Sequence, residues 1–131
     1  WNMVPVDPPV SVVDVTGSEI REMLEENLER TFASDPYEQM GGYIKRMRGV
    51  RLIFKAENDK GRRIDRLYID GAPIEDSARY TAAFITAQGV PARFGTNRRK
   101  LPITAIDALR RRLARPWLGT DGAESSSTEL V

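Results

Sequence analysis

The chain has 131 residues, a formal charge of +1, 40% apolar and 30% charged side chains, and neither cysteine nor histidine. Such figures fit one soluble globular domain large enough for a real core. They exclude disulfides, zinc sites built on Cys or His, and imidazole acid–base catalysis, and a near-neutral total argues against a dedicated nucleic-acid binder.

Residues 1–9 form a lead-in that Pro5, Pro8 and Pro9 keep irregular. The opening Trp1-Asn2-Met3 has no basic stretch before an apolar one, so no signal peptide is expected there. Since Trp1 is not a natural start, an upstream segment is expected to exist. No apolar run approaches the roughly 20 residues that span a bilayer. Lack of cysteine fits either a reducing or an oxidising compartment.

Val10 to Val15 is rich in β-branched residues and reads as a strand. Thr16 and Glu19 have the spacing of a capping box, with hydroxyl and carboxylate each satisfying the other's backbone N–H. In the helix that follows, Ile20, Met23, Leu24, Leu28 and Phe32 share one face. It must stop before Pro36, because Asp35 precedes a proline. Glu19, Glu22, Glu25, Glu26 and Glu29 diverge around this helix, whereas a metal ion needs convergent oxygens; they read as a solvated face.

The segment Asp35 to Gly49, which opens Asp35-Pro36-Tyr37-Glu38-Gln39-Met40-Gly41-Gly42-Tyr43, joins this helix to the next strand. Glycine adopts positive φ without steric cost and lets backbone approach a neighbour closely. Gly41 and Gly42 are therefore either plain turn residues or the floor of a close ligand approach. Tyr43 is either a half-buried aromatic beside a turn or a flat face for stacking, the means by which proteins hold bases.

Val50, Leu52, Phe54 and Ala56 alternate with Arg51, Lys55 and Glu57, predicting a strand with one buried and one wet face. The turn residues 58–61 and the return strand Ile64 to Ile69 complete a β-hairpin. Asp70-Gly71 closes a second turn, and Tyr80 to Thr86 is a further strand. Gln88 to Lys100 is predicted to be a loop, with Arg98, Arg99 and Lys100 as a solvated or domain-facing patch or, beside a helix start, a phosphate contact. The last helix is predicted from Ile103 to Arg115, with Ile103, Ile106, Leu109 and Leu113 as its apolar stripe. Arg110, Arg111 and Arg112 lie near its negative end or pair with Asp107. Residues 116–131 lack periodicity and are predicted to be a disordered tail after a domain of residues 1–115. Short turns between strands and bracketing helices predict an α+β fold, with an antiparallel or mixed sheet and two main helices.

The order of strand, Thr16-Gly17, acidic helix, Gly41-Gly42-Tyr43, strand, turn, Asp70-Gly71-Ala72-Pro73 and strand resembles the C-terminal domain of the 5′-nucleotidase family of metallophosphoesterases, from Trp1 to about Arg115. The resemblance implies the substrate-binding half of a two-domain hydrolase. The other, N-terminal half would hold two divalent metal ions and hydrolyse a nucleotide, so this chain would carry no cofactor and no catalytic residue. The chain would then lack the first portion of its domain, together with most of the family's Asn and Arg contacts to base and phosphate. Gly41, Gly42 and Tyr43 match the family segment that supplies one of two rings clamping the base, a position where phenylalanine is commoner. Phe94, in Ala87-Gln88-Gly89-Val90-Pro91-Ala92-Arg93-Phe94-Gly95, lies near the position of the second ring, although the surrounding pattern departs from the family's; from the residues alone it reads more simply as an anchor of its loop.

Residues 36–42 and the later loop also resemble the thiosulfohydrolase branch, whose members act on a sulfur substrate carried by a protein. The partners implied are the N-terminal metallophosphoesterase domain and a nucleotide, with neither membrane nor nucleic acid. The family suggests a periplasmic or extracellular setting. A binding module that docks nucleic acid or an acidic protein through its basic loop and last helix is the reading from another functional class.

Overall fold

A computed structural model of the chain describes residues 6–114 and 127–130. Its elements are β1 (Pro9–Thr16), α1 (Gly17–Phe32), β2 (Val50–Phe54), β3 (Ile64–Ile69), β4 (Ala72–Pro73), β5 (Arg79–Phe84), β6 (Thr96–Thr104), α2 (Ala105–Leu113) and β7 (Ser127–Leu130). The fold is α+β with two sheets, one of order β5-β1-β6 and one of order β4-β3-β2-β7. The chain divides into two compact units: residues 1–15 with 79–121, and residues 16–78 with 122–131.

The second unit is built on α1. Thr16 has extended backbone and caps the helix: the Glu19 N–H donates to its hydroxyl at 3.2 Å, and its own N–H donates to the Glu19 carboxylate at 2.8 Å. Two more of the helix's orphan N–H groups find backbone acceptors, Gly17 on Ala78 and Ser18 on Asp76, both at 3.0 Å. That approach requires glycine, since a Cβ at position 17 would lie 2.1 Å from the Glu75 carbonyl oxygen. Ile20, Met23, Leu24 and Leu28 are buried as expected, and Phe32 packs on Phe54 with ring centroids 5.5 Å apart.

Two polar rows flank this apolar stripe. Glu25 accepts the backbone N–H groups of Arg63 and Ile64, and Glu29 accepts that of Gly61 at 2.7 Å. The Arg63 Nε stands 3.2 Å from Glu29 in an ion pair whose angle falls short of a hydrogen bond. So the expectation of a wholly solvated acidic face is corrected for Glu25 and Glu29, which bind α1 to the connection entering β3. On the other flank, Asn27 and Thr31 face the segment before β2.

The predicted hairpin is present, β2 against β3, antiparallel. One-sided burial of β2 is not: Ile53 is as buried as Leu52 and Phe54, so the end of the strand is covered on both faces. Asp70 and Gly71 have φ of 49° and 82° and join β3 to β4 by a two-residue turn. Positive φ at both central positions is what a type I′ hairpin turn demands, and Asp-Gly suits it. β7 adds parallel to the other edge of β2, so residues 127–130 are strand where a disordered tail was expected; the rest of that tail lies outside the described residues.

In the first unit β1 pairs antiparallel with β6. Its core holds Val12, Val13, Val15, Val90 and Phe94. β6 takes in Arg98, Arg99 and Lys100, which corrects the loop prediction, and continues through Ile103. α2 therefore starts two residues later than predicted, behind a second capping box in which Thr104 and Asp107 exchange N–H bonds. Its expected apolar stripe is not a core face among the described residues, with Leu109 and Leu113 both exposed. No helix among the described residues is long and apolar enough to cross a membrane.

Candidate ligand-binding site

Residues 33–49 have no regular structure, yet α1 holds them in place. The last carbonyls of a helix have no partner within it, and here the loop supplies donors. Met40 N–H donates to the Arg30 carbonyl at 3.1 Å, and the Gln39 amide donates to that of Ala33 at 2.9 Å. Asp35 accepts the Tyr37 N–H at 2.9 Å in an Asx turn.

The chain then turns through Gly41 and Gly42, at φ 95° and 56°. Gly41 lies beside the Tyr43 ring: a Cβ there would be 3.7 Å from its Cε1, while one on Gly42 would meet nothing within 4 Å. Tyr43 is 57% exposed. Its carbonyl accepts from the Asn27 amide at 3.1 Å and faces the Thr31 hydroxyl at 3.2 Å, and Lys45 N–H donates to the Asn27 amide oxygen at 2.7 Å. Burial, with a smaller contribution from the Arg30 guanidinium, holds the Lys45 ammonium below its ordinary pKa.

Three of the four residues singled out from the sequence are thus brought together: an exposed aromatic ring on a bare two-glycine turn, its backbone fixed by a helix. Tyr37 and Met40 are also exposed on the same loop. A flat molecule can stack on such a ring with its edge over the glycine peptides.

Phe94 belongs to the other unit and differs in kind. It is only 3% exposed, and the Arg93 guanidinium lies 4.5 Å from its ring centroid. The following Gly95, φ 78°, presses against β1, where a Cβ would come within 2.6 Å of Val13. Phe94 is a core anchor of its loop in this conformation, not a second open ring. Sequence reasoning missed what orders that loop: Arg98 donates to the carbonyls of Val90, Pro91 and Phe94, each at 3.0 Å, and lies 4.8 Å over the Phe84 ring. Its place in a run of three cations gave no sign of this.

On the outer side of the same sheet, Asp14 accepts from Asn97 at 3.1 Å and Thr81 at 3.2 Å. The Asn97 bond, with smaller help from Thr81 and the nearby Arg99 and Arg79, outweighs desolvation and keeps its carboxyl below the ordinary range. Among the described residues no group of three or more Asp or Glu is placed to hold a metal ion.

Comparison with known proteins yields one family and several structures of similar fold. The family model described as "5′-nucleotidase, C-terminal domain" matches residues 1–87. No curated protein sequence matches the chain. Among solved structures, the sulfate thiohydrolase SoxB of Thermus thermophilus superposes over 95% of this chain with a TM-score of 0.67 and 23% identity. A putative 5′-nucleotidase of Staphylococcus aureus does so over 96%, with a TM-score of 0.68 and 16% identity. A 5′-nucleotidase precursor, also of Thermus thermophilus, matches over 95%, with a TM-score of 0.62 and 19% identity. At such identities the likeness is one of fold. The chain spans about a quarter of these proteins: 23%, 28% and 25% of their respective lengths.

Proposed function

Because the chain belongs to the family of 5′-nucleotidase C-terminal domains, we propose that it is the substrate-binding part of a 5′-nucleotidase-like hydrolase, holding a nucleotide by stacking the base on Tyr43. The observation that carries this reading is the exposed Tyr43 ring set on the turn of Gly41 and Gly42. A base stacked on one aromatic side chain gains about 1–3 kcal/mol. The peptides of the two glycines let the ligand edge come close, with no Cβ in the way.

Hydrolysis belongs to a companion N-terminal domain. The residues here do not fit a two-metal centre: the chain has no histidine or cysteine, and among the described residues no three carboxylates come together as a metal site. This chain's contribution is to bind the nucleoside portion and fix its orientation, which lowers the entropic part of the barrier for chemistry elsewhere. Phe94 acts indirectly, anchoring the loop of residues 85–95. A secreted setting accords with the precursor status of one relative.

In the chain joined to its companion domain, Tyr43→Ala should raise KM for several nucleotides by roughly 5- to 150-fold, the worth of one stacked base. Unchanged kinetics would remove the stacking role. The isolated chain should not turn over nucleotides, with or without added Mn²⁺ or Zn²⁺; robust turnover would contradict the division of labour.

A second reading is favoured by the buried state of Phe94. A two-ring clamp needs two open rings, and of the two candidates Tyr43 is exposed and Phe94 is not. A thiosulfohydrolase-like domain, taking a sulfur substrate carried on a protein, has no need of a base sandwich. Cleavage of a peptide-borne thiosulfonate in preference to nucleotides by the joined protein would select it.

A further inference from the structure

We propose that Asn27 is the positioning residue of the candidate site: its side-chain amide fixes the main chain on both sides of Ile44 and so sets where the Tyr43 ring stands. The inference rests on the reading of Tyr43 as the stacking ring.

A carboxamide both donates and accepts, and Asn27 does both towards one short stretch of chain. Its Nδ2 donates to the Tyr43 carbonyl at 3.1 Å, and its Oδ1 accepts from the Lys45 N–H at 2.7 Å. These two partners identify which amide atom is which, since a carbonyl must face the nitrogen and an N–H the oxygen. The Tyr43 carbonyl and the Lys45 N–H flank Ile44, so Asn27 bridges the main chain on either side of that residue. Only a carboxamide supplies both bonds in this way. Aspartate cannot donate to the Tyr43 carbonyl, and leucine offers neither bond.

Thr31 also faces the Tyr43 carbonyl, at 3.2 Å, but its hydroxyl has one proton and lies nearer the Asn27 carbonyl, at 2.8 Å. The stronger claim on Tyr43 is therefore that of Asn27. Asn27 and Thr31 are one helical turn apart and sit on a helix whose neighbouring face is packed into the core. The ring is thus referenced to a helix whose apolar face is buried, as a binding group needs for affinity without ordering cost.

The experiment uses the 131-residue chain, ¹⁵N-labelled, with adenosine monophosphate as the probe. Asn27→Leu should speed hydrogen exchange at the Lys45 amide by about tenfold or more, the loss expected for one hydrogen bond on a partly buried group. Asn27→Asp should retain that protection, since it keeps the acceptor. Both variants should weaken adenosine monophosphate, and Asn27→Leu combined with Tyr43→Ala should bind no worse than Tyr43→Ala alone. That non-additivity is what acting through Tyr43 requires; a merely structural role would add its own loss. Unchanged Lys45 exchange in Asn27→Leu overturns the inference. So does full adenosine monophosphate affinity in either Asn27 variant while Tyr43→Ala is weakened, an outcome that leaves the stacking reading standing. Should Asn27→Leu fail to fold, Asn27→Asp decides alone, by weaker nucleotide binding with Lys45 still protected. If Tyr43→Ala binds as well as the unsubstituted chain, the stacking reading itself fails and the inference falls with it.

Discussion

Replacing Glu25 by alanine tests the claim that α1 is bound to β3 by a carboxylate on backbone. The Glu25 side chain accepts two N–H groups, those of Arg63 and Ile64, and both residues are half-buried. Hydrogen bonds to a charged group contribute about 1.5–3 kcal/mol each. Water can reach part of this site once the side chain is gone, which argues for the lower half of that range. Alanine returns a few tenths through its helix propensity. The net loss should be about 2.5–4 kcal/mol. At about 3–5 °C per kcal/mol for a chain of this size, the thermal midpoint should fall by roughly 8–20 °C. Circular dichroism during heating, with urea titration alongside, measures it. Glu25→Gln keeps one neutral acceptor and should lose about half as much. Glu22, exposed one turn earlier, is the control, and Glu22→Ala should change stability by no more than about 0.5 kcal/mol. A midpoint within about 2 °C of the parent for Glu25→Ala, or an equal loss for Glu22→Ala, would refute the reasoning.

Gly17→Ala should destabilise by about 2–3 kcal/mol or more, because the new methyl group meets backbone oxygen that cannot move without losing the Gly17 and Ser18 bonds to Ala78 and Asp76; a urea midpoint like the parent's would contradict this. Arg98→Ala should release the loop of residues 88–95, read as faster amide exchange at Phe94 and a stability loss of about 1–3 kcal/mol; unchanged exchange would show that Phe94 and Gly95 suffice to hold it. Asp14 has its folded pKa depressed, chiefly by the Asn97 bond. Its stabilisation is therefore complete above the unfolded value of about 3.9 and is lost as pH falls through the folded one. In Asn97→Ala the carboxyl should titrate nearer its ordinary value, followed by NMR, and an unmoved titration would assign the depression to Arg99, Arg79 and Thr81 instead.

Local signals in the sequence are legible where the partners are close along the chain. Thr16 and Glu19, and the Asp70-Gly71 turn, involve neighbours, and the structure has both. The box at Thr104 and Asp107 is equally local, but Ile103 suits a helical stripe so well that the sequence places the helix start inside the end of β6. What sequence could not supply was the distant partner. Glu25 and Glu29 look like any acids on a helix until a connection more than thirty residues away brings its N–H groups to them. Arg98 looks like part of a basic loop until its strand pairs with β1 and its guanidinium meets three carbonyls. At the site, Gly41, Gly42 and Tyr43 are legible because two glycines before an aromatic are rare and contiguous. Asn27 is not, because nothing on a helix surface announces an amide that will bind a loop sixteen residues on. The burial of Phe94 follows from the fit of Gly95 against Val13 to Val15, contacts that no local pattern encodes.

Stacking on Tyr43 leaves a direct magnetic signature, since protons of a base held over an aromatic face shift upfield. Titrating adenosine monophosphate with the chain and following the adenine H2 and H8 resonances measures it. Upfield shifts with the parent chain and with Tyr43→Phe, abolished in Tyr43→Ala, are the expected result; shifts that are absent throughout, or that survive in Tyr43→Ala, would contradict the role given to this ring.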